Sequence, residues 1–125
     1  MANPDSILEV VYKYLATAPM GTGAEIAALY APGARVEDPV GTPAHVGTDA
    51  IAAFYDSVRG GERTIELLTL RVAADTAAFH FRVTTVIENT TIVVEPIDVM
   101  TFDDQSRITS MRAIWSPADL VTSTV

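Results

Sequence analysis

The chain has no cysteine and a single lysine, Lys13, among its 125 residues. Without cysteine it can form neither a disulfide nor a thiolate metal site. Its 8 basic residues are outnumbered by 16 acidic ones, which gives a formal net charge of -8. The basic residues do not cluster. Because nucleic-acid binding depends on a basic surface that neutralises phosphates, the composition argues against a nucleic-acid partner.

Long apolar runs are absent as well. Although 49% of the residues are hydrophobic and the mean hydropathy is +0.27, no run approaches the roughly 18 residues of a membrane helix. The apolar residues must therefore fill a core, an oligomer interface or an apolar pocket. Residues 1–6 contain no basic segment leading into an apolar run, so we expect no signal peptide and a cytoplasmic protein. We expect a single domain over residues 1–125.

The apolar spacing predicts helices in the first half of the chain and strands in the second. Helical periodicity indicates three helices, at about residues 4–18, 24–30 and 48–59. We expect Asp5 or Ser6 to cap the first helix, with Glu9 completing a capping box. A short extended segment covers residues 34–38, and four β segments follow at about 64–72, 77–88, 90–102 and 107–115. This order predicts an α+β fold, with three N-terminal helices packed on a strongly curved, mostly antiparallel sheet around an apolar pocket.

The segment 93–102 carries an acid in the middle of an apolar strand pattern. The two-residue period of a strand places Asp98 on the same face as Pro96, Met100 and Phe102. Burial without a cation would raise the pKa of Asp98, and the neutral acid would then donate a hydrogen bond to a negatively charged substrate oxygen. The alternative is a charged residue on an exposed edge strand, which Pro96 favours. The residues alone leave both interpretations open.

Asp38 is the second acid with apolar neighbours, Val36, Pro39 and Val40. The following proline favours an extended conformation for Asp38 at the mouth of a turn. Its ordinary interpretation is a turn-forming residue. The functional alternative is an ionised general base that works beside a neutral donor at Asp98.

The remaining chemical groups carry weaker signals. Tyr14, Tyr30 and Tyr55 have the pattern of core tyrosines whose hydroxyls find local partners. His45 and His80 stand alone, so we expect no metal site, and no nucleotide or other cofactor motif is present. Several large apolar residues are core residues by default and pocket residues if a cavity exists, namely Phe54, Phe81, Met100, Met111 and Trp115.

Four segments resemble the bacterial steroid Δ5-3-ketosteroid isomerases. They are Val36-Glu37-Asp38-Pro39-Val40-Gly41, Gly47-Thr48 ahead of a helix carrying Phe54-Tyr55, Pro96-Ile97-Asp98, and Ser110-Met111-Arg112-Ala113. The resemblance covers nearly the whole chain. It implies the cone-shaped α+β barrel of the nuclear-transport-factor-2-like superfamily, a homodimer, an apolar steroid-like substrate and no cofactor. Segments 19–25 and 60–64 depart from the family pattern and would alter the entrance of the pocket.

The resemblance also implies roles for individual residues. Asp38 would be the general base that moves a proton from C4 to C6, and Tyr14 and a protonated Asp98 would donate hydrogen bonds to the C3 oxygen of a dienolate. These isomerases are themselves a standard example of a carboxylic acid kept neutral for this purpose, so the role of Asp98 is implied by the resemblance. Tyr30 and Tyr55 would form a supporting hydrogen-bond network behind Tyr14. The substrate-binding residues would be Phe54, Phe81, Met100, Met111, Trp115 and Val40.

Two other interpretations keep the same fold. Polyketide cyclases and epoxide hydrolases belong to the same superfamily, because one fold supports many reactions. The epoxide hydrolase scheme requires an arginine between two acids, and the sequence places no arginine obviously beside Asp38 and Asp98. The other interpretation is a non-catalytic module that binds an apolar small molecule, in which both acids would be dispensable.

Overall fold

The computed structural model describes residues 2–124 and contains the predicted helices, α1 over Pro4–Thr17, α2 over Gly23–Ala27 and α3 over Thr48–Ser57. The expected caps on α1 were wrong. Asn3 caps α1, because its side chain accepts a hydrogen bond from the backbone N–H of Asp5 at 2.8 Å. The capping box lies at α2 instead, where Thr22 and Glu25 satisfy each other's backbone N–H groups.

The strands lie mostly where the alternating pattern predicted them. They are β1 Tyr30–Glu37, β2 His45–Val46, β3 Glu62–Ala73, β4 Thr76–Ile87, β5 Thr90–Val94, β6 Ile97–Phe102, β7 Ile108–Ile114 and β8 Val121–Thr124. The short β2 and β8, and a 3₁₀ turn at Pro117–Asp119, were not predicted. Tyr30 belongs to β1 and not to the second helix, because it pairs with Ile108 of β7.

The expected strand at 90–102 is divided in two at Glu95 and Pro96. Proline has no N–H to contribute to a ladder, so the pairing is interrupted there. On one side of the break Val94 pairs with Val83 of β4, and on the other Ile97 pairs with His80 of the same strand. The interruption leaves the two-residue alternation intact, so Pro96 and Asp98 face the same side as predicted.

The strands form one curled sheet in the order β2-β1-β7-β6-β4-β5-β8, with β3 paired to β4 outside that path. The pairing is antiparallel except between β1 and β7, which run parallel. The α+β prediction is confirmed, with one refinement: over residues 2–124 the sheet does not close into a complete barrel. Helix α1 lies against β3 and α3 against β1. No helix in this part of the chain is long and apolar enough to cross a membrane.

The core lies between the helices and the inner face of the sheet. On β4, Ala77, Phe79 and Phe81 are buried, and on β6 Asp98 and Met100 are buried. Successive residues of a strand point to opposite faces, so these side chains share the inner face. This alternation places a carboxyl group among apolar residues and thereby positions the candidate site.

Candidate active site

A cavity of about 400 Å³ lies between the helices and the inner face of the sheet. This volume is typical of sites for small molecules, which fall at roughly 300–1,000 Å³. Seven of the residues singled out from the sequence line it, namely Tyr14, Asp38, Phe54, Tyr55, Phe81, Asp98 and Trp115. Residues separated by as much as 101 positions in sequence therefore meet at one cavity.

Asp98 is buried in the inner wall, with 2% of its surface exposed. Its neighbours across the ladders are Phe79 on β4 and Ala113 on β7, which provide no cation. Its Oδ1 atom has no hydrogen-bond partner among the described residues. Burial, followed by the negative charge of Asp38, raises the pKa of Asp98 well above its ordinary value. The raised pKa favours the protonated form, in which this carboxyl can donate a hydrogen bond towards the cavity that it lines.

Three tyrosine hydroxyls form a buried chain behind the cavity wall. The hydroxyl oxygens of Tyr14 and Tyr55 are 3.1 Å apart, and those of Tyr55 and Tyr30 are 2.7 Å apart. Tyr14 comes from α1, Tyr55 from α3 and Tyr30 from β1, so three elements must pack together to form the chain. Burial is the largest cause that raises the pKa of each tyrosine well above its usual value, which keeps all three neutral. If Tyr30 donates to Tyr55 and Tyr55 to Tyr14, the Tyr14 proton is free for a ligand.

Asp38 is held differently from Asp98. It directly follows β1, precedes a cis bond to Pro39 and is only partly buried. The indole Nε1 of Trp115 donates to its Oδ1 at 2.8 Å. Burial raises the pKa of Asp38, but the Trp115 hydrogen bond and the charges of His45 and Arg63 oppose that increase. The second oxygen, Oδ2, accepts no hydrogen bond from residues 2–124, so one oxygen is anchored while the other is available as a base.

The electrostatics of the site separate the two acids. Burial without a cationic partner among residues 2–124 raises the pKa of Asp98 well above its ordinary value, whereas for Asp38 the Trp115 hydrogen bond and the nearby Arg63 guanidinium oppose the increase in pKa that burial causes. The cavity therefore brings together Asp38 and two groups, Tyr14 and Asp98, whose raised pKa values favour their neutral forms, which can donate hydrogen bonds. Such an arrangement is suited to removing a proton from carbon and stabilising the negative charge that then develops on an oxygen.

Three predicted substrate-binding residues lie outside the cavity wall. Met100 and Met111 pair across β6 and β7 and are 0% and 1% exposed in the core, because their strand positions are two residues beyond the wall. Val40 follows the turn after Asp38 and is 37% exposed, with its backbone N–H bound to the Ala113 carbonyl. Tyr30 also lies outside the wall, one hydrogen bond behind Tyr55.

Sequence reasoning missed two features of the site. It treated Trp115 as an apolar lining residue only. A partly buried indole N–H ordinarily requires a hydrogen-bond acceptor, and that requirement could have indicated a polar partner for Trp115. It also did not identify the arginines of the cavity lining, Arg59 and Arg63. Arg63 shares its strand face with Ile65, which also lines the cavity, so strand alternation was the available signal for it. Among residues 2–124, no group of three or more His, Cys, Asp or Glu side chains is arranged to hold a metal ion.

Known proteins share both the sequence pattern and this fold. The SnoaL-like domain family matches residues 11–111. A steroid Delta-isomerase from Nocardioides simplex is 52% identical over 111 residues, which cover 89% of this chain and 90% of that protein. A solved structure of the epoxide hydrolase/cyclase-like enzyme SalBIII, described in connection with pyran ring formation in the polyether salinomycin, is 26% identical with a TM-score of 0.86. That match covers 96% of this chain and 98% of the other.

The protonated state of Asp98 predicts a specific pH dependence of stability. Unfolding returns this carboxyl to its ordinary pKa, so above that value the unfolded chain has lost a proton that the folded protein keeps. Wild-type stability therefore falls as pH rises towards the raised pKa, by up to about 1.4 kcal/mol per pH unit. The side chain of the Asp98→Asn variant cannot titrate. Its free energy of unfolding relative to wild type should therefore increase as pH rises above the ordinary pKa of an aspartate, and the increase should end only where the raised pKa of Asp98 is reached. Urea denaturation at a series of pH values measures this difference.

Asp103→Asn is the matched control, and its effect has the opposite sign. Hydrogen bonds from Arg107 lower the pKa of Asp103. The largest contribution comes from the backbone N–H of Arg107, which donates to Oδ1 of Asp103 at 2.9 Å. That acid stabilises the folded state above its ordinary pKa, and the contribution is lost as pH falls. Asp103→Asn should therefore be destabilised at neutral pH and approach wild type in acid. A pH-independent difference for Asp98→Asn would contradict the assignment of a neutral Asp98.

Proposed function

The chain belongs to the SnoaL-like domain family, and we propose that it is a steroid Delta-isomerase, which moves the C5–C6 double bond of a 3-oxo-Δ5-steroid to C4–C5. The observation that carries the proposal is the convergence of Asp38, Tyr14 and Asp98 on one apolar cavity. The 52% identity to a steroid Delta-isomerase over most of both chains supports it.

Asp38 is the proposed general base. It takes a proton from C4, next to the C3 carbonyl, and returns it to C6, so that the double bond moves while the atoms of the steroid are conserved. The same carboxylate must reach two carbons, which suits a group anchored by Trp115 through one oxygen only. Partial burial makes the carboxylate a stronger base than a solvated one, and that favours removal of a proton from carbon.

Tyr14 and Asp98 are the proposed donors to the C3 oxygen. Removing the C4 proton places negative charge on that oxygen, and donors already fixed in a water-poor cavity stabilise the charge without rearrangement. One such hydrogen bond contributes about 3 kcal/mol to the stability of the transition state. Tyr55 and Tyr30 support the site by donating along the chain towards Tyr14, which orients the Tyr14 proton into the cavity.

The apolar character of the cavity suits a steroid. Phe54, Phe81 and Trp115 contribute large apolar surfaces to the lining, and a rigid ring system pays little conformational entropy on binding to such a surface. The reaction transfers a proton within one molecule, so it requires neither an electron acceptor nor an activated group.

Loss of the base tests the proposed reaction most directly. Purified wild-type protein should convert 5-androstene-3,17-dione to the conjugated 4-ene isomer, and Asp38→Asn should be slower by a factor of about 10²–10⁴, the usual contribution of general base catalysis. The growth of enone absorbance measures the rate. Asp49→Asn, which removes an exposed acid outside the cavity, should retain wild-type activity. Equal rates for wild type and Asp38→Asn would refute the enzymatic proposal.

Substitutions at Asp98 test the donor role separately. Asp98→Asn keeps an N–H donor at the same position and should retain activity within about tenfold of wild type. Asp98→Leu fills the position without a donor and should lose about 10²–10³-fold in kcat, as expected for removal of one oxyanion donor. Measuring kcat for both variants with 5-androstene-3,17-dione, under the same conditions as wild type, compares the two losses. Losses of similar size would contradict donation by a protonated Asp98.

The solved structure of an epoxide hydrolase/cyclase-like enzyme favours a second candidate, cyclase or epoxide hydrolase chemistry in the same cavity. That scheme requires an arginine bridging the two acids. Within residues 2–124, Asp38 bonds to Trp115, and no arginine forms a hydrogen bond or ion pair with Asp38 or Asp98. This geometry favours the isomerase. A non-catalytic binder of apolar molecules is the remaining alternative, and the Asp38→Asn assay distinguishes it.

We also propose that the protein acts as a homodimer in the cytoplasm. Ile97 on β6 and Ile114 on β7 pair across the outer face of the sheet, and they are 45% and 50% exposed. Adjacent exposed isoleucines on a sheet face are suited to burial against a second subunit.

An Ile97→Asp substitution should therefore produce a monomer, because it would place a charge in the proposed apolar contact. Light scattering coupled to gel filtration measures the mass in solution. Met20→Asp is the control, since Met20 is 72% exposed and lies in the loop after α1. A wild-type protein that is monomeric at micromolar concentration would contradict the homodimer.

A further inference from the structure

Arginine side chains line the cavity near its exposed rim. Arg59 and Arg63 belong to the lining, together with Val58, Gly60 and Leu120, which are exposed. The lining contains no lysine or glutamate, and its two acids are Asp38 and Asp98. The two arginines are thus concentrated at one cavity of a chain whose formal net charge is -8, and burial disfavours the charged form of Asp98, one of the two acids that could balance them. A local excess of positive charge on an acidic protein indicates a site for an anion.

Arg63 has no carboxylate partner in the described part of the chain. One guanidinium nitrogen donates to the backbone carbonyl of Val58, while the buried Nε atom has no hydrogen-bond partner. A buried charged donor without an acceptor is energetically unfavourable. Asp38 lies close enough to interact electrostatically with Arg63, but its anchored oxygen is bound to Trp115.

Most arginines elsewhere in residues 2–124 have carboxylate partners. Arg82 binds Glu66 and Glu95, Arg107 binds Asp103, and Arg112 binds Glu37. Arg59 has a loose contact with Asp56 at 3.8 Å, in which both side chains are about half exposed. Arg63 differs because it is partly buried in a cavity wall, near Asp38 but with no ion pair among residues 2–124, so its free Nε donor is available to an acceptor on a molecule that enters the cavity.

We propose that the preferred substrate is a 3-oxo-Δ5-steroid that carries a carboxylate at the end opposite the C3 carbonyl, and that Arg63, assisted by Arg59, binds this carboxylate. The inference rests on the proposed isomerase function. With the C3 oxygen at the buried donors Tyr14 and Asp98, the other end of a rigid ring system extends towards the exposed residues of the rim. A guanidinium group matches a carboxylate geometrically, since it offers parallel N–H donors to both oxygens.

A matched pair of substrates tests the proposal. Wild-type protein should isomerise 3-oxoandrost-5-ene-17β-carboxylate with a higher kcat/KM than its methyl ester, which has the same rings and no charge. Arg63→Met keeps an unbranched apolar stem and removes the charge, so it should lower kcat/KM for the acid relative to that for the ester by about 10- to 100-fold, the effect of losing a hydrogen bond to a charged group. Any effect of the lost charge on Asp38 falls on acid and ester alike, so the ester measures that effect and the acid-to-ester ratio of kcat/KM isolates carboxylate recognition. Circular dichroism checks that the variant is folded.

Arg71→Met is the control variant. Arg71 lies on the same strand, donates to the Leu70 carbonyl and is outside the cavity, so its loss should leave both substrates unaffected. Arg63→Lys should recover part of the preference for the acid. Equal losses for acid and ester in Arg63→Met would overturn the proposal by showing that Arg63 acts only through Asp38. A wild type without preference for the acid would also overturn it.

Binding separates this inference from the proposed reaction. Trp115 is the single tryptophan and lines the cavity, so its fluorescence reports occupancy. The product acid, 3-oxoandrost-4-ene-17β-carboxylate, should bind wild type about 10- to 100-fold more tightly than Arg63→Met, with no such difference for its methyl ester. If this difference is found without any isomerisation by wild type, the reaction is wrong and carboxylate recognition stands. If isomerisation is found without the difference, carboxylate recognition is wrong.

Discussion

The burial of one uncompensated carboxyl group is the constraint on which the site depends. Asp98 lies in the middle of the inner sheet face between Phe79 and Ala113, and only proton binding makes that position tolerable. A cation beside it would ionise it and remove its capacity to donate. The apolar neighbours are therefore part of the chemistry as well as of the core. The tyrosine chain extends the same principle, since burial keeps Tyr14 neutral beside Asp98.

Two aspartates with the same intrinsic chemistry differ here because their surroundings differ. Asp98 is within a strand whose neighbours fix its burial, whereas Asp38 follows the end of β1 in a partly exposed position. Trp115 adds a donor that favours the charged form of Asp38. Environment thus assigns one acid to proton transfer and the other to hydrogen-bond donation. The cavity lining also carries positive charge from Arg59 and Arg63.

Much of the architecture followed from local pattern. Apolar spacing was enough for the three helices, and two-residue alternation was enough to place Pro96 and Asp98 on the inner face. The errors occurred where local signals compete. Tyr30 continues an apolar helical pattern, but pairing with Ile108 makes it extended. Met100 has the same facing as Asp98, yet it lies two residues farther along the strand and is covered by the core.

Sequence pattern and family resemblance identified the chemical groups, the α+β class and the face on which Asp98 lies, because periodicity and residue type are local properties. Contacts between distant segments were decided by the tertiary structure alone. Trp115 reaches Asp38 across 77 positions, and Tyr55 meets Tyr14 across 41. The tertiary structure decides which strands become neighbours and how strongly the sheet curls. These two features determine which hydrogen-bond donors find partners within the protein and which face the cavity. The raised pKa of Asp98 and the free Nε of Arg63 depend on that outcome, because among residues 2–124 the fold brings no cation to the first and no hydrogen-bond acceptor to the second.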